Sequence, residues 1–198
     1  MLFDLDGTLT RLDVDWRVAR AELTRVSGES FGGVSIFSMI AQIAARREGE
    51  KEKLFAALDA LEVPASEFAA PTEGARGLLS FLSTRTRLGL VTMQGRRACT
   101  VALRVLEFGE FFGSVITRED SLEREKQLLM AASKLDVGGT EILFVGDKHD
   151  DAIGGRKAGA TVALVGPQAR SDWGANYVFP SLSELHSFLA GSRSPRGR

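Results

Sequence analysis

The chain has 198 residues, of which 44% are hydrophobic, and its 25 basic and 26 acidic residues give a net charge of -1. This composition predicts one medium-sized folded domain, with or without a smaller insertion, and excludes the strong positive field that holds nucleic acid or an anionic membrane. The single cysteine, Cys99, excludes an internal disulfide framework. Since no apolar run is as long as a membrane span and the N-terminus lacks the plan of a signal peptide, we expect a soluble cytoplasmic protein.

Two acidic residues follow directly on an apolar start. Residues 1–3 are apolar and predict the end of a buried strand, after which Asp4 and Asp6 stand two positions apart and Gly7 follows. Side chains at i and i+2 of a strand point the same way, so both carboxylates should project from the strand's carboxyl end, where open α/β sheets hold ligands. Two adjacent acids repel each other unless a cation lies beside them. The stretch therefore predicts a magnesium-assisted phosphoryl-transfer site.

A helical block follows this strand. Between Thr10 and the mid-eighties we expect no strand, because the apolar residues recur at helical spacing. They form three stripes: Trp16, Ala19, Leu23 and Val26; then Ile36, Phe37, Ile40 and Ile43; then Leu54, Phe55, Leu58 and Leu61. Glycines separate the stripes, and Pro64 and Pro71 bracket a short segment that ends the block. We expect residues 12–71 to form a small helical cap domain.

From Thr72 onward the pattern alternates between helix and strand. Strands are predicted at 87–92, 114–117, 141–146, 161–165 and 177–179, and helices at 73–84, 96–106, 125–135, 151–158 and 181–189. Strands rich in Val, Ile and Leu with helices between them are typical of a parallel sheet covered on both faces. We therefore predict an α/β fold, a Rossmann-like three-layer core of residues 1–11 and 72–190, with the cap inserted. Residues 191–198 are expected to be disordered.

Two candidate phosphate ligands stand near strand ends. Thr92 ends the predicted strand 87–92, and its hydroxyl could donate to a phosphate oxygen, although a structural role is the alternative because threonine is common in strands. Lys126 lies near the start of the predicted helix 125–135, where its positive charge would offset the charges of the acids and of a phosphate. Arg124 and Lys134 are its nearest competitors.

The segment that follows the predicted strand 141–146 is also acidic. Asp147 directly follows the strand 141–146, and Asp150 and Asp151 begin the next helix. Acids in a first helical turn are often caps or dipole partners, which suffices for Asp150. Oxygen ligands from two strand ends are what a six-coordinate magnesium ion uses. Lys148 between them could touch substrate or reach solvent, and His149 is left out of the catalytic set.

These segments resemble a known superfamily. Residues 3–9, Thr92, Lys126, and Gly146-Asp147 with Asp151 are similar in order and spacing to the four motifs of the haloacid dehalogenase-like (HAD) hydrolases. The resemblance covers nearly the whole chain, including a helical cap between the first and second motifs. It implies a Rossmann-like core with a cap over the strand ends, and phosphate-ester hydrolysis through an aspartyl-phosphate.

The resemblance also implies roles for the acids. Asp4 corresponds to the nucleophile and Asp6 to the general acid/base. Magnesium would be held by Asp4, the main-chain oxygen of Asp6, and Asp147, with Asp151 supporting the metal directly or through water.

The predicted function is a magnesium-dependent phosphatase of a small phosphorylated metabolite, similar to phosphoglycolate phosphatases. Thr92 and Lys126 would hold the phosphoryl oxygens, with Lys126 also neutralising Asp4. A dehalogenase is disfavoured by Asp6, whereas a sugar-phosphate mutase would share every core residue. A catalytically idle binding protein would be expected to have lost one or more of these acids.

Overall fold

A computed structural model describes residues 1–30 and 32–191 of the chain. Its centre is a six-stranded sheet made of β1 (Leu2–Phe3), β4 (Gly89–Val91), β5 (Ser114–Ile116), β6 (Leu143–Gly146), β7 (Thr161–Val165) and β8 (Tyr177–Phe179). The strands lie in the order β5-β4-β1-β6-β7-β8, and every neighbouring pair is parallel. The predicted α/β, Rossmann-like fold is confirmed.

Helices cover both faces of the sheet. Successive strand residues point to opposite faces, so Phe3 and Val145 belong to one apolar core and Leu2 and Phe144 to another. The first core includes residues of α4 (Ala75–Ser83), α5 (Arg96–Leu106) and α8 (Leu182–Leu189). The second includes α6 (Arg124–Lys134), and α7 (His149–Lys157) packs beside it on the same side. The sheet is therefore the middle of three layers.

The register of the central strands places the predicted site residues along one edge. Phe3 pairs with Leu90 of β4 and with Val145 of β6. The residues that follow these strands, among them Asp4, Thr92 and Asp147, therefore emerge at the same carboxyl edge of the sheet.

Three helices form a separate insert: α1 (Trp16–Ser27), α2 (Ile36–Ala44) and α3 (Glu50–Ser66). Asp15 and Ser35 cap the first two helices by accepting hydrogen bonds from main-chain N–H groups. The insert has its own apolar core, made of Ala19, Leu23, Ile36, Met39, Ile40, Ile43, Leu54, Phe55 and Leu58.

The expectation of no strand between Thr10 and the mid-eighties is wrong. Strand β2 (Thr10–Arg11) pairs in antiparallel fashion with β3 (Ala70–Pro71), and the N–H of Thr72 donates to Leu9 O at 2.9 Å. Strands of two residues are too short to show an alternating pattern, so they could not be predicted from the sequence. Pro64 also lies inside α3, in its last turn, rather than after the helix.

A buried arginine joins the insert to the core. Arg118, two residues after β5, is fully buried, and its guanidinium donates to Glu62 at 2.5 Å and to Asp59 at 2.6 Å, both on α3. The N–H of Gly95, just before α5, also donates to Glu62 at 3.2 Å. Charged groups of both parts are thereby removed from water together, which fixes α3 against the core on this side.

The remaining predicted boundaries compare closely with the structure. Strands 161–165 and 177–179 and helix 96–106 have the predicted ends, and the ends of the others differ by at most two residues. The division into a core of 1–11 and 72–190 and a cap of 12–71 stays a prediction. The expected disorder concerns residues 192–198, which lie outside the described residues, and Gly191, which the structure places in a turn.

Among the helices of residues 1–30 and 32–191, none is both long and apolar enough to cross a membrane.

Candidate active site

Asp4 and Asp6 lie in the tight turn that follows β1. The strand ends at Phe3, and residues 4–10 form a tight turn in which several N–H groups donate to Leu5 O. Asp4 is buried, whereas the Oδ1 of Asp6 accepts from the N–H of Leu12 at 3.0 Å. The two carboxylates therefore do not form the simple i, i+2 pair expected of a longer strand. Asp6 faces Lys148, whose Nζ lies 3.3 Å from its main-chain oxygen and 4.0 Å from its Oδ2.

Asp147 lies against the turn that follows Asp6. Gly7 has a φ of +95°, and a Cβ built there would stand 2.2 Å from Asp147 Oδ2, so only glycine allows this approach. Ligand oxygens of Asp4, Asp147 and Asp151 all lie within 4.8 Å of one another. The structure thus brings three of the predicted metal ligands to one point.

Asp151 holds the loop that carries Asp147. Its Oδ2 accepts from the N–H groups of Asp147 and Lys148, both at 3.1 Å, and caps the first turn of α7. Its Oδ1 lies 3.0 Å from Arg124 Nε. Since both oxygens are engaged, Asp151 orients the site through its neighbours.

The cation beside Asp4 is Arg124. Its Nη2 donates to Asp4 Oδ1 at 2.8 Å, and the side chain is only 11% exposed. Lys126 is instead 61% exposed and pairs with Glu123 at 2.6 Å. Successive helix residues are turned by about 100°, so side chains two positions apart point to nearly opposite sides. The structure therefore places Arg124, and not Lys126, with the acids.

Thr92 is buried and follows directly after β4, at the same edge of the sheet. Its main-chain oxygen accepts from the amide of Gln127 at 2.9 Å, and its Oγ1 accepts from the N–H of Gln94 at 3.1 Å. The hydroxyl hydrogen is not used by the Gln94 contact, so it is available for an acceptor such as a phosphate oxygen. The Gln127 contact fixes the loop that carries this threonine.

Burial changes the acidity of two carboxyl groups in the cluster. It raises the pKa of Asp4 to about 8, although Arg124 beside it opposes the rise. It also raises the pKa of Asp147 to about 6. Both groups would be ionised more readily with a further cation at the site.

The donor set fits a magnesium ion. The Oδ1 of Asp147 is buried and has no hydrogen-bond partner among the described residues, and such an atom needs a partner that the polypeptide does not supply. Hard carboxylate and carbonyl oxygens are the ligands that Mg²⁺ prefers. Asp4, Asp147 and the main-chain oxygen of Asp6 would hold the ion.

Two cationic side chains lie closer to the acids than the sequence predicts. Arg124 was only a competitor of Lys126, and nothing in the sequence told which side of α6 faces the site. For Lys148 the sequence predicts contact with substrate or with solvent, and in the structure its Nζ donates to the main-chain oxygen of Asp6 at 3.3 Å. His149 lies against the ring of Trp173, with 5.7 Å between ring centroids.

Fold and site together define a Rossmann-like α/β protein with an acidic cluster, able to hold a metal ion, at the carboxyl edge of its sheet. The sequence model of the family described as haloacid dehalogenase-like hydrolase matches residues 1–165. The chain belongs to this family, and the resemblance noted from its motifs is confirmed.

Individual relatives agree with this assignment. The pyrophosphatase PpaX of Bacillus mycoides is 33% identical over 113 residues, which are 52% of this chain and 52% of the relative. The chain thus spans about half the length of the curated relatives it matches. A hydrolase from Pseudomonas syringae has a TM-score of 0.75 at 22% identity, and a HAD phosphatase from Thermococcus onnurineus has 0.68 at 24%. Each structural alignment covers 98% of both chains and supports the same fold.

Proposed function

We propose that the protein is a magnesium-dependent phosphatase that hydrolyses a small phosphorylated metabolite through an aspartyl-phosphate. One observation carries the proposal: ligand oxygens of Asp4, Asp147 and Asp151 lie within 4.8 Å of one another at the carboxyl edge of the sheet. Among the described residues, Asp4 Oδ2 accepts no hydrogen bond, while Oδ1 is held by Arg124. The free oxygen is the one we assign as the attacking atom.

In the first step, Asp4 Oδ2 attacks phosphorus and the bond from phosphorus to the leaving oxygen breaks. Asp6 gives its proton to that oxygen, so the alcohol leaves neutral. In the second step, Asp6 takes a proton from water, whose oxygen attacks the aspartyl-phosphate, and Asp4 is released with inorganic phosphate. The Oδ1 of Asp6 is held by the N–H of Leu12, which leaves Oδ2 for proton transfer.

Cations balance the charge of the reacting groups. When bound, magnesium would lower the repulsion between the Asp4 carboxylate and the phosphate. Arg124 orients Asp4 through the 2.8 Å contact to Oδ1, and we assign to it the role of the phosphate-neutralising cation that was predicted for Lys126. Thr92 would donate its hydroxyl to a phosphoryl oxygen.

Hydrolysis of p-nitrophenyl phosphate, measured with and without Mg²⁺, tests the proposal. We expect metal-dependent turnover that Asp4→Asn reduces by about a thousand-fold or more, as loss of a nucleophile does elsewhere. Asp13→Asn removes an exposed carboxylate nine residues away and is the matched control. Turnover near wild type in Asp4→Asn would refute the assignment of the nucleophile.

The alternative activities are separated by following the phosphoryl group. A panel of phosphorylated metabolites assayed for inorganic phosphate identifies a phosphatase and its substrate class. Transfer to a second hydroxyl of the sugar without phosphate release would identify a mutase. Folded protein that hydrolyses nothing in the panel, with or without Mg²⁺, would support a binding protein.

A further inference from the structure

Lys148 places a positive charge on one of the oxygens assigned to the metal. Its Nζ donates to the main-chain oxygen of Asp6 at 3.3 Å and lies 4.0 Å from the Oδ2 of the same residue. A divalent ion bound to this oxygen would lie within a few ångströms of the ammonium. Two cations cannot share this position without strong repulsion.

The backbone of Lys148 cannot move away to relieve that repulsion. Its N–H donates to Asp151 Oδ2, which also accepts from Asp147, so the start of α7 is fixed by the same carboxylate that orients the cluster. The side chain, in contrast, is 56% exposed. Only the four-carbon stem is free to swing, and it can carry the ammonium into solvent.

In the metal-free protein, the positive charge of Lys148 offsets the negative charge of the acids around it. The carboxylates of Asp4, Asp6, Asp147 and Asp151 face two nearby cations, Arg124 and Lys148. Arg124 is buried and held by two of these acids, so it stays in place. Lys148 is the cation that can leave when another arrives.

We infer that Lys148 is a tethered cation that competes with Mg²⁺ for the main-chain oxygen of Asp6. Each binding of the ion displaces the ammonium, and each loss of the ion lets it return. Lys148 thereby weakens the affinity for Mg²⁺ and stabilises the metal-free cluster. This inference rests on the proposed function, because it requires the magnesium site.

Isothermal titration with MgCl₂ tests the competition directly and needs no substrate. Lys148→Met keeps most of the stem and removes the charge, and we expect it to bind Mg²⁺ about tenfold more tightly than wild type. Lys148→Arg keeps the charge and should bind as weakly as wild type. Lys157→Met, which removes an exposed charge from the other end of α7, is the control for net charge and should match wild type.

Thermal melting without metal gives a second, independent measurement. Lys148→Met should melt at a lower temperature than Lys157→Met, because only the first takes a cation away from the acids. An unchanged magnesium dissociation constant in Lys148→Met, with clear binding by wild type, overturns the inference and leaves the proposed function intact. A wild-type protein that binds no Mg²⁺ overturns both.

Discussion

Arg124 and Lys126 stand two positions apart on α6, but only Arg124 contacts Asp4, whereas Lys126 pairs with Glu123. Arg124→Met removes the guanidinium beside Asp4, and we expect phosphatase turnover to fall by about a hundred-fold, the usual effect of losing one fixed donor to developing charge. Lys126→Met removes an exposed charge that pairs with Glu123, so turnover should stay within about twofold of wild type. Steady-state kinetics with the aryl phosphate measure both.

Arg124 also contacts Asp151 and could be needed for folding, so Arg124→Lys serves as a second variant that keeps the charge. It should recover part of the turnover lost in the methionine variant. If Lys126→Met lost more turnover than Arg124→Met, the assignment of the cation would have to be reversed.

The buried Asp4 carboxyl predicts an unusual pH dependence of stability. In the folded metal-free protein its pKa is raised to about 8, above the value of about 3.9 in an unfolded chain. Between these values the folded state keeps a proton that the unfolded state has lost, so stability falls as pH rises from 5 to 8. Asp4→Asn cannot ionise and should lose less stability over that range.

Thermal melts of the metal-free protein at pH 5 and pH 8 measure this difference. Between pH 5 and pH 8 we expect Asp4→Asn to lose at least about 1 kcal/mol less stability than wild type. For a chain of this length, its melting temperature should then fall by about 2 to 4 °C less. Some slope should remain, because burial also raises the pKa of Asp147, to about 6, and that of Glu62, to about 7. A slope identical to that of Asp13→Asn would contradict the prediction.

Among the elements, α3 depends on a charged contact rather than on apolar packing alone. Arg118→Met leaves Glu62 and Asp59 without their buried partner, and we expect the free energy of unfolding to fall by about 3 to 5 kcal/mol. Arg104→Met, an exposed arginine on α5, should change it by less than about 0.5 kcal/mol. Urea denaturation measures both, and equal effects of the two variants would rule out this role for Arg118.

Sequence periodicity predicted the elements that bury a continuous apolar face. Helix α5 was found with its ends because its apolar residues recur at helical spacing, and strand β7 because it is a continuous apolar run. Strands β2 and β3 were missed because two residues carry no period. The acids at strand ends could be predicted because a parallel sheet gathers its carboxyl ends on one edge.

Contacts set by helix rotation or by distant segments could not be predicted in the same way. The choice between Arg124 and Lys126 depends on the angle at which α6 starts, which no local pattern fixes. Arg118 bonds to residues 56 and 59 positions earlier in the chain. Lys148 reaches Asp6 across 142 positions. Such pairings follow from the assembled fold.

For the whole molecule, metal binding should be visible as stability. A ligand at about a hundred times its dissociation constant stabilises the folded state by about 2.7 kcal/mol. For a chain of 198 residues, this corresponds to a rise in melting temperature of about 5 to 11 °C. Asp147→Asn should abolish the rise, because it removes the negative charge of the carboxylate whose buried Oδ1 lacks a partner among the described residues. An equal rise in wild type and Asp147→Asn would place the ion elsewhere.

The short ribbon of β2 and β3 has a consequence for how this architecture can vary. The polypeptide departs from the sheet and comes back to it at adjacent points, joined by the bond from Thr72 N to Leu9 O. Because these points are adjacent, the insert can change in length without shifting a strand of the sheet, provided that α3 keeps Asp59 and Glu62 as partners of the buried Arg118. The helical insert can therefore vary in sequence while the acidic cluster at the carboxyl edge of the sheet keeps its position.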